Sequence, residues 1–212
     1  MTSAVAPPAR TGKRRGAYAK TEEKRRSILD AALEVFAQSG YRSGSLREVA
    51  ERVGMSEAGL LHHFPNKSAL LAAVLERRDD RSLSFVPLDH DVDPVETLRG
   101  LVALARYNAS VPGVVELYCT LSAEATSPDH PAHDYFQRRY AWTLESIEQR
   151  FQALADDGRL RPGVTPGSAA RSTIALMDGL QVQWLLDRSS VDMADEIALH
   201  LERLIDAAFR GA

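Results

Sequence analysis

The residues with the clearest potential for chemistry are two pairs of histidines. His62 and His63 are adjacent, and adjacent residues of a helix point about 100° apart, whereas zinc ligands on one helix are three or four positions apart. His130 and His133 have the latter spacing, but they lie in SPDHPAHDYF, a proline-containing turn in which histidine and aspartate commonly cap helices. We therefore predict no metal site and no cofactor; a metal at the second pair would be a structural or effector ion.

The sequence contains none of the usual catalytic motifs. It has no glycine-rich phosphate loop, no nucleophile elbow and no HExxH motif. Cys119, the only cysteine, follows Glu116 by about one helical turn, but a lone cysteine on an apolar helix face is usually an inert core residue. We predict that the protein is not an enzyme.

The stretch around the first histidine pair has the dimensions of a helix-turn-helix. Two short helices, 45–53 and 56–64, are predicted on either side of a turn at Gly54. Bulky side chains at the start of the second helix would hold it away from base edges, whereas Ala58 and Gly59 are small enough to permit close approach. The pattern predicts that the second helix enters the major groove of DNA.

Three polar residues of the same region are candidates for contact with the DNA backbone. Ser45 and Ser56 are predicted to cap the two helices, whose N-terminal amides attract phosphate, and their hydroxyls can donate hydrogen bonds. Lys67 lies in the first turn of the next helix, where a positive charge is mildly unfavourable unless an anion is bound there. Two alternatives stay open for Lys67, a phosphate contact and a solvated side chain.

Helical periodicity predicts the elements that hold these residues, and no segment alternates with the period of a strand. A first helix is expected to start at the Thr21 cap and to end at Gly40, and Asn66 is expected to cap a helix after Pro65. The fold class is therefore all-α. Proline, glycine and aspartate residues separate five further segments with helical periodicity. These predicted helices lie near 92–109, 112–126, 131–157, 166–187 and 192–209.

Charge is distributed unevenly along the 212 residues. Through Lys67 there are 12 lysines and arginines against 7 aspartates and glutamates, a net charge of +5, whereas the remainder has 14 against 22, a net charge of −8. A basic N-terminal segment followed by an acidic remainder is typical of a nucleic-acid-binding module joined to a second domain. We predict a disordered basic arm at 1–20, a DNA-binding domain at 21–82 and a second domain at 83–212.

Neither a membrane span nor a secretory signal is recognisable. No apolar run approaches the roughly 18 residues of a spanning helix. The N-terminus carries charges but no apolar segment after them. We expect a cytoplasmic protein with no membrane partner.

The last two predicted helices are expected to form a homodimer interface. In TIALMDGLQVQWLLD (173–187) apolar residues surround most of the helix, so this helix should be buried on more than one side. Together the two helices would form half of a four-helix interface between two copies, and a purely intramolecular core is the alternative. The final helix has a single apolar stripe through Ile197, Leu201, Leu204, Ile205 and Ala208.

The stretch LREVAERVGMSEAGLLHHFPNKSALLAAVLE resembles the DNA-binding domain of the TetR-family transcriptional regulators, and ILDAALEVFAQSGYRSGS before it is similar to that family's first helix and turn. The resemblance covers about residues 22–82 without a gap. ELYCTLSAEATSPDHPAHDYF and MDGLQVQWLLD are similar to one type of effector domain in the family. The resemblance implies an N-terminal three-helix domain and a C-terminal helical bundle for effector binding and dimerisation. It further implies a homodimer, usually a repressor, that leaves double-stranded operator DNA when a small molecule binds the bundle.

The same resemblance assigns DNA-binding residues by position. The chain departs from the family at Leu61, where a tyrosine usually contacts phosphate, so we expect packing or a thymine-methyl contact there. It also departs at Ala58 and Gly59, where glycine and then threonine are common, and at Gly44, where threonine is common. Base reading is implied for Glu57, Ala58, Gly59, His62 and His63. Contact with the DNA backbone or groove edge is implied for Ser45, Arg47, Ser56, Leu61 and Lys67.

An effector pocket is predicted among side chains with aromatic or polar tips on the central C-terminal helices, around a mostly apolar cavity. Core packing is the alternative for each of them. The segment around Pro87, between the two predicted domains, is expected to transmit ligand binding to the DNA-binding domain. The pocket candidates are Tyr107, Tyr118, Cys119, Phe136, Tyr140, Met177, Gln181 and Trp184.

Overall fold

The computed structural model describes residues 12–89 and 91–209, with side chains from Thr21 onward. Within these ranges the chain is all-α, as predicted, and no helix is long and apolar enough to cross a membrane. Of the five helices predicted after residue 90, the first four begin and end within two residues of their predicted bounds. The helices are α1 (Gly12–Ser43), α2 (Leu46–Arg52), α3 (Glu57–His63), α4 (Lys67–Leu83), α5 (Pro94–Ser110), α6 (Pro112–Glu124), α7 (His133–Asp156), α8 (Pro166–Leu186) and α9 (Met193–Leu204).

The short helices begin at the predicted caps. The amide of Glu48 donates to Ser45 Oγ at 3.1 Å, and the amide of Gly59 donates to Ser56 Oγ at 3.1 Å. The side chain of Asn66 accepts the third amide of α4 at 2.8 Å. Each cap satisfies an amide that has no partner within its own helix, so the starts of α2, α3 and α4 were predictable from the sequence.

Two glycines mark the predicted turns. Gly40 interrupts α1 with φ of 70°, and Gly54 lies between α2 and α3 with φ of 65°. This left-handed backbone is unstrained only for glycine, which accounts for the residue type at both positions.

The first helix begins at Gly12 and not at the predicted Thr21 cap. The backbone of residues 12–20, which lie within the predicted arm, is helical, and residues 1–11 lie outside the described part of the chain. Lysine, arginine and alanine are good helix formers, and extending a helix costs much less than nucleating one. These properties account for the longer helix.

The hydrophobic core has two parts. The first core joins α1–α4 with buried residues of α6 and the start of α7, among them Leu117, Leu121 and Phe136. The second core joins α5, α7, α8 and α9, and Phe151 and Leu201 are fully buried in it. The first core thus extends well past residue 82, because α6 packs more extensively on α1 than on any other helix.

The apolar stripe of α9 is buried within the chain itself. Ile197, Leu201 and Ile205 are almost fully buried in the second core, where α9 packs on α5 and α8. The helix ends at Leu204, short of the predicted residue 209, because Ile205 adopts an extended backbone and pairs with Leu160 in an isolated bridge. For this stripe, the structure therefore agrees with the alternative of an intramolecular core and not with a dimer interface.

The connection between α4 and α5 crosses α5 at Gly100. A Cβ at Gly100 would lie 2.3 Å from the carbonyl oxygen of Phe85 and 2.9 Å from Cα of Val86. Beyond this crossing, the Thr97 hydroxyl donates to the Pro87 carbonyl at 2.6 Å. The connection is therefore fixed against α5 by backbone contact.

We expect Gly100→Ala to lower the free energy of unfolding by about 1–3 kcal/mol, because the added methyl group overlaps backbone that cannot rotate away. Gly113→Ala in α6 is the matched control, since its Cβ would meet only Leu33 Cδ2, at 3.5 Å. The control should leave stability unchanged or slightly raised. Denaturant unfolding of both variants measures the effect, and a Gly100→Ala variant as stable as the parent would contradict the close approach.

Candidate DNA-binding surface and internal cavity

The residues assigned to base reading lie on the outer side of α3. Glu57, Ala58 and His62 are exposed, and Gly59 and His63 are half-buried. One fully buried leucine on the opposite side anchors the helix to the first core. The helix therefore presents a small, largely uncharged leading edge to solvent, a shape that can enter a DNA groove.

The residues assigned to backbone contact surround this edge. Ser45 and Ser56 are exposed, although their hydroxyl oxygens already accept the capping amides. Arg47 is exposed, and its Nε donates to Glu51 Oε1 at 2.9 Å, so a phosphate would compete with this exposed ion pair. Leu61 is exposed to 38%, which leaves its side chain available for an apolar contact.

Lys67, the first residue of α4, is not the freely solvated lysine of the alternative interpretation. Its Nζ donates to the carbonyl oxygen of Arg42 at 3.1 Å and lies 4.5 Å from the centroid of the Tyr41 ring. Burial lowers the pKa of Lys67. The hydroxyl of Tyr41 is in turn 2.9 Å from Ser68 Oγ. The ammonium is thus held at the N-terminus of α4, where phosphate is also favoured.

Glu124, at the end of α6, contacts the turn at Gly40 and Tyr41, against which the ammonium of Lys67 is held. Its Oε2 accepts the amide of Tyr41 at 3.0 Å, and a Cβ at Gly40 would lie 2.5 Å from its Oε1. His130 packs edge-on against the Tyr41 ring at 5.1 Å, with Nε2 3.4 Å from Glu124 Oε2. Sequence reasoning missed this contact because its two sides are 83 residues apart.

The second histidine pair holds the loop between α6 and α7. His130 Nδ1 accepts the amide of Ala132 at 3.2 Å, and burial lowers the pKa of this histidine. His133 Nδ1 is 2.8 Å from the carbonyl oxygen of Ala125. Within the described ranges, no three residues among His, Cys, Asp and Glu are arranged to hold a metal ion. Both imidazoles are used in local loop contacts.

A cavity of about 350 Å³ lies between α4, α5 and α7, and we call it the large lobe. Its walls are mainly apolar, with Leu83 and Trp142 at the rim and Leu101 and Ile147 inside. A smaller cavity of about 60 Å³, the small lobe, shares the wall formed by Leu101, Leu104, Arg139 and Thr143. Beyond the shared wall, the small lobe is lined by Ile174 and Met177 and by six side chains with polar groups, which are Arg78, Asn108, Tyr118, Tyr140, Asp178 and Gln181.

Four of the eight predicted pocket residues line the small lobe, namely Tyr118, Tyr140, Met177 and Gln181. The other four lie elsewhere. Phe136 and Trp184 are buried in the first and second cores, and Tyr107 stacks on Phe85 beside a separate groove. The thiol of Cys119 lies 3.9 Å from the Gln181 amide oxygen, and burial raises its pKa to about 11.

Charged residues of the cavity walls were not predicted. Arg78, Asp79, Arg139 and Asp178 line one or both lobes, and they come from three helices, α4, α7 and α8. Among these four, Arg78 could have been found from the sequence, because it continues the spacing of the apolar stripe of α4. In the structure it is almost fully buried. A charged residue in register with an apolar stripe indicates a buried ion pair or a site.

Two segments of the chain match two protein families. Residues 28–74 match the family described as bacterial regulatory proteins of the tetR family, and this match contains α2 and α3. Residues 114–210 match the family described as the C-terminal part of BetI-type transcriptional repressors. That second match contains most of α6 and all of α7–α9.

Individual curated relatives are similar to part of the chain. The chain is 41% identical over 75 residues to the HTH-type transcriptional activator FasR of Mycolicibacterium smegmatis, covering 35% of this chain and 34% of FasR. It is 34% identical over 113 residues to the HTH-type transcriptional regulator RutR of Escherichia coli, covering 51% of each. The chain therefore aligns with about a third to a half of the length of these curated relatives.

Similarity to a solved structure extends over most of the chain. The structure described as the molecular basis for control of antibiotic production by bacterial hormones matches with a TM-score of 0.66 and 30% identity. The match covers 86% of this chain and 98% of that chain. The related proteins are transcriptional regulators and not enzymes, in agreement with the sequence prediction. The chain belongs to the TetR family of transcriptional regulators.

Proposed function

We propose that the protein is a homodimeric repressor that binds operator DNA through α3 and leaves it when a small molecule occupies the large and small lobes. The observation that carries this proposal is the position of the small lobe between the two cores. Arg78 of α4 and Tyr118 of α6 come from the helices of the first core, whereas Leu104 of α5 and Met177 of α8 come from the second core. A molecule in this lobe therefore touches both cores, and its binding energy would bias their relative position.

The similar proteins support a role in transcriptional regulation and favour repression over activation. The C-terminal match is to repressors, and one similar structure is described in terms of control by bacterial hormones. Activation is the second candidate, because FasR, which is similar to part of this chain, is named an activator. Transcription from the bound promoter, with and without the protein, distinguishes the two.

In the proposed dimer through the last two helices, α8 supplies the apolar contact surface, because the apolar stripe of α9 is buried within the chain. Along one side of α8, Val182 and Leu186 are exposed to 50% and 83%, and Ala175 is also exposed. Gly179 lies on the same side, and a Cβ there would meet no other atom within 4 Å. Two copies of this face can approach closely because its centre is small, and burial would remove large apolar side chains from water.

The proposed signal passes through α6 and not mainly through the Pro87 segment. Pro87 is tied to α5, and Arg150 donates to the carbonyl oxygens of Leu88 and Asp89 just after it. By contrast, α6 contributes Tyr118 to the small lobe and Glu124 to the turn beside Lys67. One rigid helix therefore connects the cavity wall with the DNA-binding surface.

Nuclease protection by the purified full-length protein on its own upstream DNA tests the proposal. We expect a protected, nearly palindromic site with half-sites about 34–36 Å apart, because a twofold dimer places its recognition helices in successive major grooves. Protection of a single half-site, or no salt-sensitive sequence preference, would contradict it.

We expect Lys67→Ala to weaken binding to all DNA sequences by a similar factor and to reduce the slope of log K against log salt by about one, because one phosphate contact is lost. His62→Ala is the contrasting variant, which should relax preference at particular base positions and leave the salt slope unchanged. Gel-shift titrations over a salt series measure both, with thermal melting to show that each variant is folded. A changed base preference with an unchanged slope in Lys67→Ala would overturn its assigned role.

We expect Glu124→Ala to weaken operator binding about fivefold without changing the salt slope, because the lost hydrogen bond to Tyr41 releases the turn that positions Lys67. Glu116→Ala, also in α6, is the matched control, since the ion pair of Glu116 among the described residues is with Arg188, at the surface. The control should bind operator as the parent does. Equal operator affinity of Glu124→Ala and the parent, measured by gel shift, would show that the contact does not position the DNA-binding surface.

A further inference from the structure

We propose that the effector is an uncharged amphipathic molecule, with an apolar body in the large lobe and one short oxygen-bearing end in the small lobe. This inference rests on the proposed function, because it names the chemical class of the ligand assigned there to the cavity. Three observations carry it, which are the apolar rim of the large lobe, the charge balance of the small lobe and the unpaired polar atoms near the wall between them.

The large lobe has the size and surface for an apolar body. Its volume of about 350 Å³ lies within the range of small-molecule sites. Leu83 and Trp142 at its rim are exposed to 42% and 46%, although both are large apolar side chains. An apolar occupant would cover them, whereas a polar occupant would leave the hydrophobic cost of their exposure in place.

The charged residues beside the small lobe balance one another. Arg78 Nη1 lies 3.2 Å from Asp79 Oδ1, Arg139 donates to the same oxygen, and the Tyr135 hydroxyl donates to Asp79 Oδ2 at 2.5 Å. Asp79 is thus shared by two guanidinium groups, which leaves one positive charge in excess. The carboxylate of Asp178 supplies the compensating negative charge.

Asp178 has no ion-pair partner among the described residues, and its Oδ2 accepts the Tyr140 hydroxyl at 2.7 Å. Burial raises the pKa of Asp178, whereas the hydroxyl and the two nearby arginines favour its charged form. Counted together, the two arginines and two carboxylates are neutral. A carboxylate or ammonium end on the ligand would leave one uncompensated charge away from water, which is unfavourable.

Two buried polar atoms are available for an uncharged oxygen. Thr143 Oγ1, on the wall shared by the lobes, and Arg78 Nε, in the wall of the small lobe, have no hydrogen-bond partner among the described residues. A hydroxyl or carbonyl oxygen can accept from either group. Arg138 also lines the large lobe, but it is exposed, so water screens its charge.

Three probes with the same apolar body and different ends test this inference, namely 1-octanol, octanoate and octylammonium. Binding of each to the full-length protein at neutral pH is measured by calorimetry. We expect 1-octanol to bind at least about tenfold more tightly than either charged probe, by the charge argument above. Trp142→Ala should weaken all three, which locates binding in the large lobe. Tighter binding of octanoate or octylammonium, equal binding of all three, or no binding would overturn the proposed class.

Asp178→Asn supplies a second, independent test. The variant keeps an oxygen that accepts from Tyr140 but removes one negative charge, so the small lobe gains a net positive charge. We expect octanoate to gain at least about tenfold in affinity relative to 1-octanol. Glu145→Gln, which makes the same charge change at an exposed position of α7, should leave the parent order unchanged. An unchanged order in Asp178→Asn would overturn the charge-balance argument.

The two proposals fail in different ways. If the protein without any probe does not protect operator DNA, the proposed function is contradicted. The order of the three probe affinities measured by calorimetry would still stand. If 1-octanol binds as expected but does not release the operator, the ligand class stands and the release mechanism fails.

Discussion

Leu117 and Leu121 of α6 are fully buried in the same core as Ile28 and Phe36 of α1. This packing makes α6 a structural part of the DNA-binding unit, although it follows α5 in the chain and belongs to the C-terminal family match. Burial of side chains of this size contributes about 1.5–3 kcal/mol each, so α6 cannot separate from α1 without a large loss of stability. Any displacement of α6 therefore displaces the helix-turn-helix with it.

The same packing explains why polar residues collect beside the small lobe. Where the first core meets the second, the side chains of α4, α6, α7 and α8 converge without filling the space with apolar atoms. Arg78 and Arg139 are tolerated there because Asp79 and the ring of Tyr118 face them. A buried ion set of this kind adds little net stability but has a defined geometry, which suits the proposed effector site.

Much of the DNA-binding half was predictable because its determinants are local. The hydroxyl of Ser56 and the amide it accepts are three residues apart, and the φ of 65° at Gly54 is a property of one residue. The structure also gives a reason for one departure from the family, since a Cβ at Gly44 would lie 3.0 Å from the carbonyl oxygen of Gly40. The start of α1 was not predicted, because a cap signal at Thr21 does not prevent a helix from extending through good helix formers.

By itself, the sequence determined the all-α class, the caps and glycine turns of the helix-turn-helix, and the family, because each depends on residues within a few positions of one another. Only the tertiary structure decided which distant residues meet. It brought Glu124 to Tyr41 and Arg139 to Asp79, and it buried the stripe of α9 inside the chain. Helical periodicity shows that a face will be buried, but it does not show against which surface. That choice follows from how all the helices pack together.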